Sequence, residues 1–143
     1  MKATSAAEYK KARYKAVELP SLLTDGSHPV FIIRKPPPKI YVKLLEMFNV
    51  QVTIDSDPEE IERALTGQAM REDIKAKLPQ FLEILLPACV VEPRVTTDPN
   101  DKEALHIDDI DSKDQFALLE AILDFAGLSE RAEEERNLLR EAS

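Results

Sequence analysis

Pro79-Gln-Phe-Leu-Glu-Ile-Leu-Leu-Pro87-Ala-Cys89-Val90-Val91-Glu-Pro93-Arg-Val95 decides how this chain is read. The stretch holds the densest apolar run, three of the ten prolines and the single cysteine. Phe81, Leu82, Leu85 and Leu86 recur at helical spacing, so a buried helix is expected. It should stop near Pro87, because a proline ring removes a backbone donor and crowds the preceding turn. Val90 and Val91 then read as an extended exit. No residue here is an obvious catalyst.

Working outward, Ile74 and Leu78 extend the same stripe, giving a helix over 68–86 that Pro79 should kink or divide. Asp57 can cap a preceding helix over 58–66, with Pro58 at its first position and Glu59 and Glu60 at the positive end of its dipole. Val50 to Ile54 alternate apolar and polar, as a short strand or an extended connector does. Ile40, Leu44, Met47 and Phe48 share one face of a helix over 38–48. Pro36-Pro37-Pro38 is a stiff elbow before it; a polyproline ligand is the competing reading. Residues 16–35 read as a β-hairpin. Val30-Phe31-Ile32-Ile33 is β-branched and aromatic, and Asp25-Gly26 supplies the turn. A hairpin is marginal alone, so it must lie on the helices or pair with another chain, and an exposed strand edge would be a ready docking site by strand addition. Residues 1–15 form a basic arm or helix without firm apolar anchorage.

On the other side, residues 94–112 are polar and read as a loop. Ser112 or Asp111 starts a helix over 112–126, with Phe116, Leu119, Ile122, Leu123 and Ala126 on its inner face and Gly127 as its cap. Residues 129–143 form a charged helical tail held mainly by Leu138 and Leu139. The expected fold class is therefore mainly α: a small helical domain over 16–128 with an N-terminal β-hairpin.

Composition narrows the chemistry. The 143 residues fit one domain, aromatics make up 6% and glycines number three. One cysteine and two histidines make a poor metal set and allow no internal disulfide. The net charge of −8 is uneven. Residues 1–48 carry nine Lys+Arg and four Asp+Glu, or +5; the rest carry ten and 23, or −13. An acidic body repels phosphates, so no nucleic-acid partner is expected. The basic part could meet an anionic partner or the chain's own acidic half. No signal-peptide core and no membrane-length apolar run is seen, so a soluble cytoplasmic protein is expected. Asp108, Asp109 and Asp111 are half of a calcium loop, but Lys113 and Asp114 stand where a ligand and a glycine are needed. Cys89 reads as a buried hydrophobe. There is no phosphate-binding loop. No cofactor, no metal and no enzymatic activity are expected.

One resemblance goes further. Val17-Glu18-Leu19-Pro20 and Phe31-Ile32-Ile33-Arg34-Lys35-Pro36-Pro37-Pro38 lead into a helix. Ile84-Leu85-Leu86-Pro87-Ala88-Cys89-Val90-Val91-Glu92-Pro93 follows later. Ile107-Asp108-Asp109-Ile110 then precedes Phe116 to Leu128. This order resembles the tail assembly chaperones and related small tail proteins of long-tailed bacteriophages, over residues 16–128. The resemblance implies a non-enzymatic protein that binds the tape-measure protein, shields its apolar helices and helps tail tube subunits assemble, in the cytoplasm of the host cell. It implies a partner-binding face of apolar side chains, for which the candidates are Val30, Phe31, Ile32, Ile33, Phe81, Leu82, Leu85 and Leu86. Plain core is the competing reading of the same residues. A structural virion protein of the tail or neck, oligomeric by nature, and a host regulatory adaptor are the alternatives.

Overall fold

The computed structural model describes residues 1–47, 75–128 and Leu138. The expected helix over 58–66, most of the segment 68–77, Val50 to Ile54 and the tail beyond Leu128, Leu138 apart, lie outside the described residues.

The order is α1 (Ala6–Ala12), β1 (Tyr14–Glu18), β2 (Val30–Arg34), α2 (Pro38–Met47), α3 (Leu78–Cys89), β3 (Val90–Glu92), β4 (Val95–Thr96), β5 (Leu105–His106), a 3-10 turn (Ile107–Asp109) and α4 (Ser112–Phe125). The class is mixed α+β, which corrects the mainly-α expectation. The hairpin is the larger part of a three-stranded antiparallel sheet, ordered β1-β2-β3, and β4 and β5 form a separate parallel pair. The miss has a physical cause. β3, β4 and β5 are two or three residues long, too short to show a two-residue period.

The elements begin and end where local chemistry directs. Ser5 caps α1 by accepting from the Glu8 N–H, yet α1 buries no residue. Gly26, at φ +86°, closes the hairpin loop, and the Asp25 carboxylate accepts from Ser27 N–H and hydroxyl. A turn at Lys77 precedes α3, so Pro79 sits in its first turn and does not kink it. α3 runs through Pro87 to Cys89, past the expected stop. Proline at this point deprives only the carbonyl of the exposed residue Glu83 of its donor. Asp111 caps α4. Gly127, at φ +78°, ends it, with Leu128 N–H reaching back to the Leu123 carbonyl at 2.8 Å, the Schellman arrangement.

The core is built on α3. Phe81, Leu82, Leu85, Leu86 and Cys89 are buried, together with Ile33 of β2, Ile40, Leu44 and Leu45 of α2, and Leu118 and Ile122 of α4. α2 and α4 both pack on α3. Lys77 Nζ donates to the Met47 carbonyl at 3.0 Å, joining the end of α2 to the start of α3. On α4 the buried positions are Asp114, Leu118 and Ile122, four apart. The expected inner face holds at Ile122, Leu119, Leu123 and Ala126 and is corrected at one position: Phe116 is 52% exposed, while Leu118 has no exposure. Leu118→Ala should therefore lower stability by about 2–5 kcal/mol through the cavity it leaves. Phe116→Ala should cost under about 1 kcal/mol. Urea unfolding of the two variants checks this, and equal losses would contradict the packing described.

Candidate functional site: the β-sheet edge and outer face

The hairpin register fixes the two faces of the sheet. Tyr14 pairs with Arg34, Ala16 with Ile32 and Glu18 with Val30; Lys15 pairs with Ile33 and Val17 with Phe31. Paired residues share a face. Ile33 is fully buried and Val17 and Phe31 pack against the core, so the odd-numbered set faces inward. Tyr14, Ala16, Glu18, Val30, Ile32 and Arg34 form the outer face. Val30 is 57% exposed and Tyr14 44%, and Val91 of β3 is also exposed.

The same register fixes the edge. Leu19 N–H donates to the Pro29 carbonyl at 2.8 Å, and Lys35 N–H to the Arg13 carbonyl at 3.4 Å. Antiparallel ladders alternate, so Lys15 and Val17 direct their backbone groups at β2. The N–H and C=O groups of Tyr14, Ala16 and Glu18 point to the open side of β1. Among the described residues no strand pairs with that side.

The sequence candidates therefore separate. Phe81, Leu82, Leu85, Leu86 and Ile33 lie together in the core. Phe31 and Ile32 are half-buried on opposite faces of β2, and Val30 alone of the eight is well exposed. Tyr14 and Ala16, which complete the outer face, were not among the candidates. Only the pairing register reveals them, since a strand beginning at Tyr14 continues from a polar, lysine-rich segment.

Charge collects at one end of the sheet. Lys15 Nζ lies 5.9 Å and Lys35 Nζ 5.1 Å from the centre of the Phe125 ring, within cation–π range. Arg34 Nε donates to the Ala88 carbonyl at 2.8 Å, placing a cation at the negative end of the α3 dipole.

Other polar groups serve the fold. Asp114 is 5% exposed, and its carboxylate accepts from Ser21 N–H at 3.1 Å and from the Ser21 hydroxyl. His28 Nδ1 meets the Ser21 carbonyl at 2.9 Å. Ser, Asp and His thus gather, but the imidazole contacts a backbone carbonyl and not the hydroxyl, so it does not serve as that hydroxyl's base. His106 accepts from Asp108 N–H at Nδ1 and donates from Nε2 to the Thr97 carbonyl, tying β5 to the loop after β4. Gln115 Nε2 donates to the carbonyls of Ile107 and Ile110, each at 3.0 Å, fastening the 3-10 turn to α4. Arg94 and Asp101 form a two-bond ion pair that holds the Asp101 carboxyl below its usual range. Among the described residues no group of three His, Cys, Asp or Glu is placed to hold a metal ion. None of their helices is long and apolar enough to cross a membrane.

Cys89 is fully buried, and burial pushes its thiol up to about 12 against a small opposing pull from Arg34. The neighbouring Tyr41 phenol is raised too, first by burial and then by Cys89. Comparison with protein-family models, with curated proteins and with solved structures finds no match to this chain.

Native protein should resist a thiol-specific reagent at pH 8 and react with it once unfolded; rapid native labelling would contradict this burial. The linkage has a definite sign. A thiol that ionises near 9 when unfolded and near 12 when folded stabilises the protein fully below about pH 9, and that stability is lost as pH rises through 12. Cys89→Ala should flatten this alkaline decline in unfolding experiments.

Proposed function

We propose that this chain is a non-enzymatic protein-binding module of the kind its sequence resembles, a phage tail assembly chaperone. In this reading it holds apolar segments of a tape-measure protein until tail tube subunits enclose them. The observation that carries the reading is the outer sheet face. Tyr14, Ala16, Val30 and Ile32 form an apolar strip that no described element covers, on a domain whose helices α2, α3 and α4 are already packed together. An amphipathic partner helix laid on that strip gains burial worth about 25 cal/mol per Å². The net charge of −8 keeps the carrier and its complexes mutually repelling and dispersed. The inert thiol and the fold-serving roles of Ser21, His28, His106 and Asp114 support a binding role over catalysis.

The test is co-expression with the tape-measure protein of the same phage, identified as a long helix-rich reading frame beside this gene. The soluble fraction of that protein should rise several-fold. Val30→Lys with Ile32→Lys should abolish the rise while the monomer keeps its circular dichroism. An unchanged soluble fraction with the wild-type chain would sink the chaperone reading. Finding the protein in purified virions would favour a structural tail or neck protein instead.

A further inference from the structure

We propose that the open edge of β1 takes up an extended acidic segment of a partner protein as a fourth, antiparallel strand. The inference rests on the protein-binding reading and names a second surface and the chemistry it accepts.

Two observations converge. The edge offers the main-chain groups of Tyr14, Ala16 and Glu18 in an unbroken run, with neither proline nor bulge in β1. Such a row is a template for strand addition. The inner face beside that edge is cationic. Lys15 lies on it and Lys35 lies one strand further in, both exposed and both over Phe125, with Arg13 at the head of the strand and Lys10 and Lys11 in the last turn of α1. An incoming strand places alternate side chains on this inner face, where carboxylates would meet Lys15 and Lys35. Its other side chains fall beside Tyr14 and Ala16, where small or apolar residues fit.

Charge also argues against a second copy as the occupant. Two β1 edges paired antiparallel about Ala16 would bring Lys15 of one copy diagonally across from Lys15 of the other, at about 7–8 Å on the same face. The basic segments at Lys10, Lys11 and Arg13 would add to that repulsion. An acidic strand removes the conflict that self-pairing creates.

The experiment uses the full chain and three fluorescent eight-residue peptides, followed by anisotropy at low salt. The first alternates Glu with Val or Ser. The second has Lys in place of Glu. The third is the Glu peptide N-methylated at every second amide, so that it cannot donate to β1. The first should bind, the second and third at least about tenfold more weakly, since several edge hydrogen bonds or ion pairs are lost. Ala16→Pro removes a donor that points away from β2 and should weaken the first peptide about tenfold. Lys15→Gln with Lys35→Gln should weaken it about threefold to tenfold and reduce its salt dependence. Failure of the Glu peptide to bind, equal binding of the Lys or N-methylated peptide, or self-association through β1 that Ala16→Pro abolishes would each overturn the proposal. The outer-face variants Val30→Lys and Ile32→Lys separate the two readings. They should leave peptide binding intact, so tape-measure solubilisation and strand uptake fail or succeed independently.

Discussion

The junction between α3 and β3 is the constraint on which the described structure depends. Helix passes to strand at Cys89–Val90 with no loop between them. Both residues are buried, and Arg34 of β2 donates to the carbonyl of Ala88 just before the turnover. The guanidinium answers a helix carbonyl that the next turn would otherwise have satisfied. With the helix end fixed to β2, the apolar side of α3 and the inner face of the sheet become one surface. Ile33 is buried as a direct result, and it brings Val17 and Phe31 against the same core. A charged group outside the apolar cluster thus ties the helix end to the sheet that closes the cluster.

This arrangement leaves the sheet one-sided. Among the described residues helices cover its inner face only, so the outer face keeps Tyr14 and Val30 exposed. β3 occupies one margin, which leaves β1 as the other. The elements that hold the sheet are therefore also the reason that no other described element covers its far face and far edge. Binding by such a surface needs no rearrangement of the core. Tyr14, Ala16 and Val30 contribute little to burial, so they can change with a partner at small cost to stability.

The hairpin, α2 and the ends of α4 were legible in the sequence because each has a local cause. Asp25-Gly26 forms the turn through its own backbone, Pro38 starts α2, and Gly127 closes α4 by its positive φ. The inner face of α4 was legible at Ile122 and its neighbours but not along the rest of its centre line. Its buried row is Asp114, Leu118, Ile122, and an aspartate there reads as a surface residue. Ser21, which makes that burial tolerable by donating twice to Asp114, is 93 residues away. The apolar count then favoured Phe116, on the opposite side of the helix. The parallel pair of Val95–Thr96 with Leu105–His106 was hidden for a related reason. Each strand offers one apolar residue to the core, Val95 and its partner Leu105, and the rest of the support comes from His106 and Arg94 hydrogen bonds, which leave no hydrophobic period behind.

A hairpin edge was legible as a docking site, but which edge and which residues form it were hidden for a deeper reason. Reading the apolar residues for a binding face favours the densest run, and in this chain the densest run is α3. A helix that meets α2 on one side, α4 on another and the sheet at its end needs apolar residues around most of its circumference. Density there reports the number of neighbours, not the presence of a partner. A strand edge carries the opposite bias. Its contacts are made by main-chain N–H and C=O groups, which every residue of β1 but proline would present equally. Side chains only modulate which strand is accepted, here through the charge of Lys15 and Lys35. Recognition by an edge therefore leaves almost no mark in composition or periodicity, and it becomes visible only when the pairing register shows which backbone groups have been left facing outward.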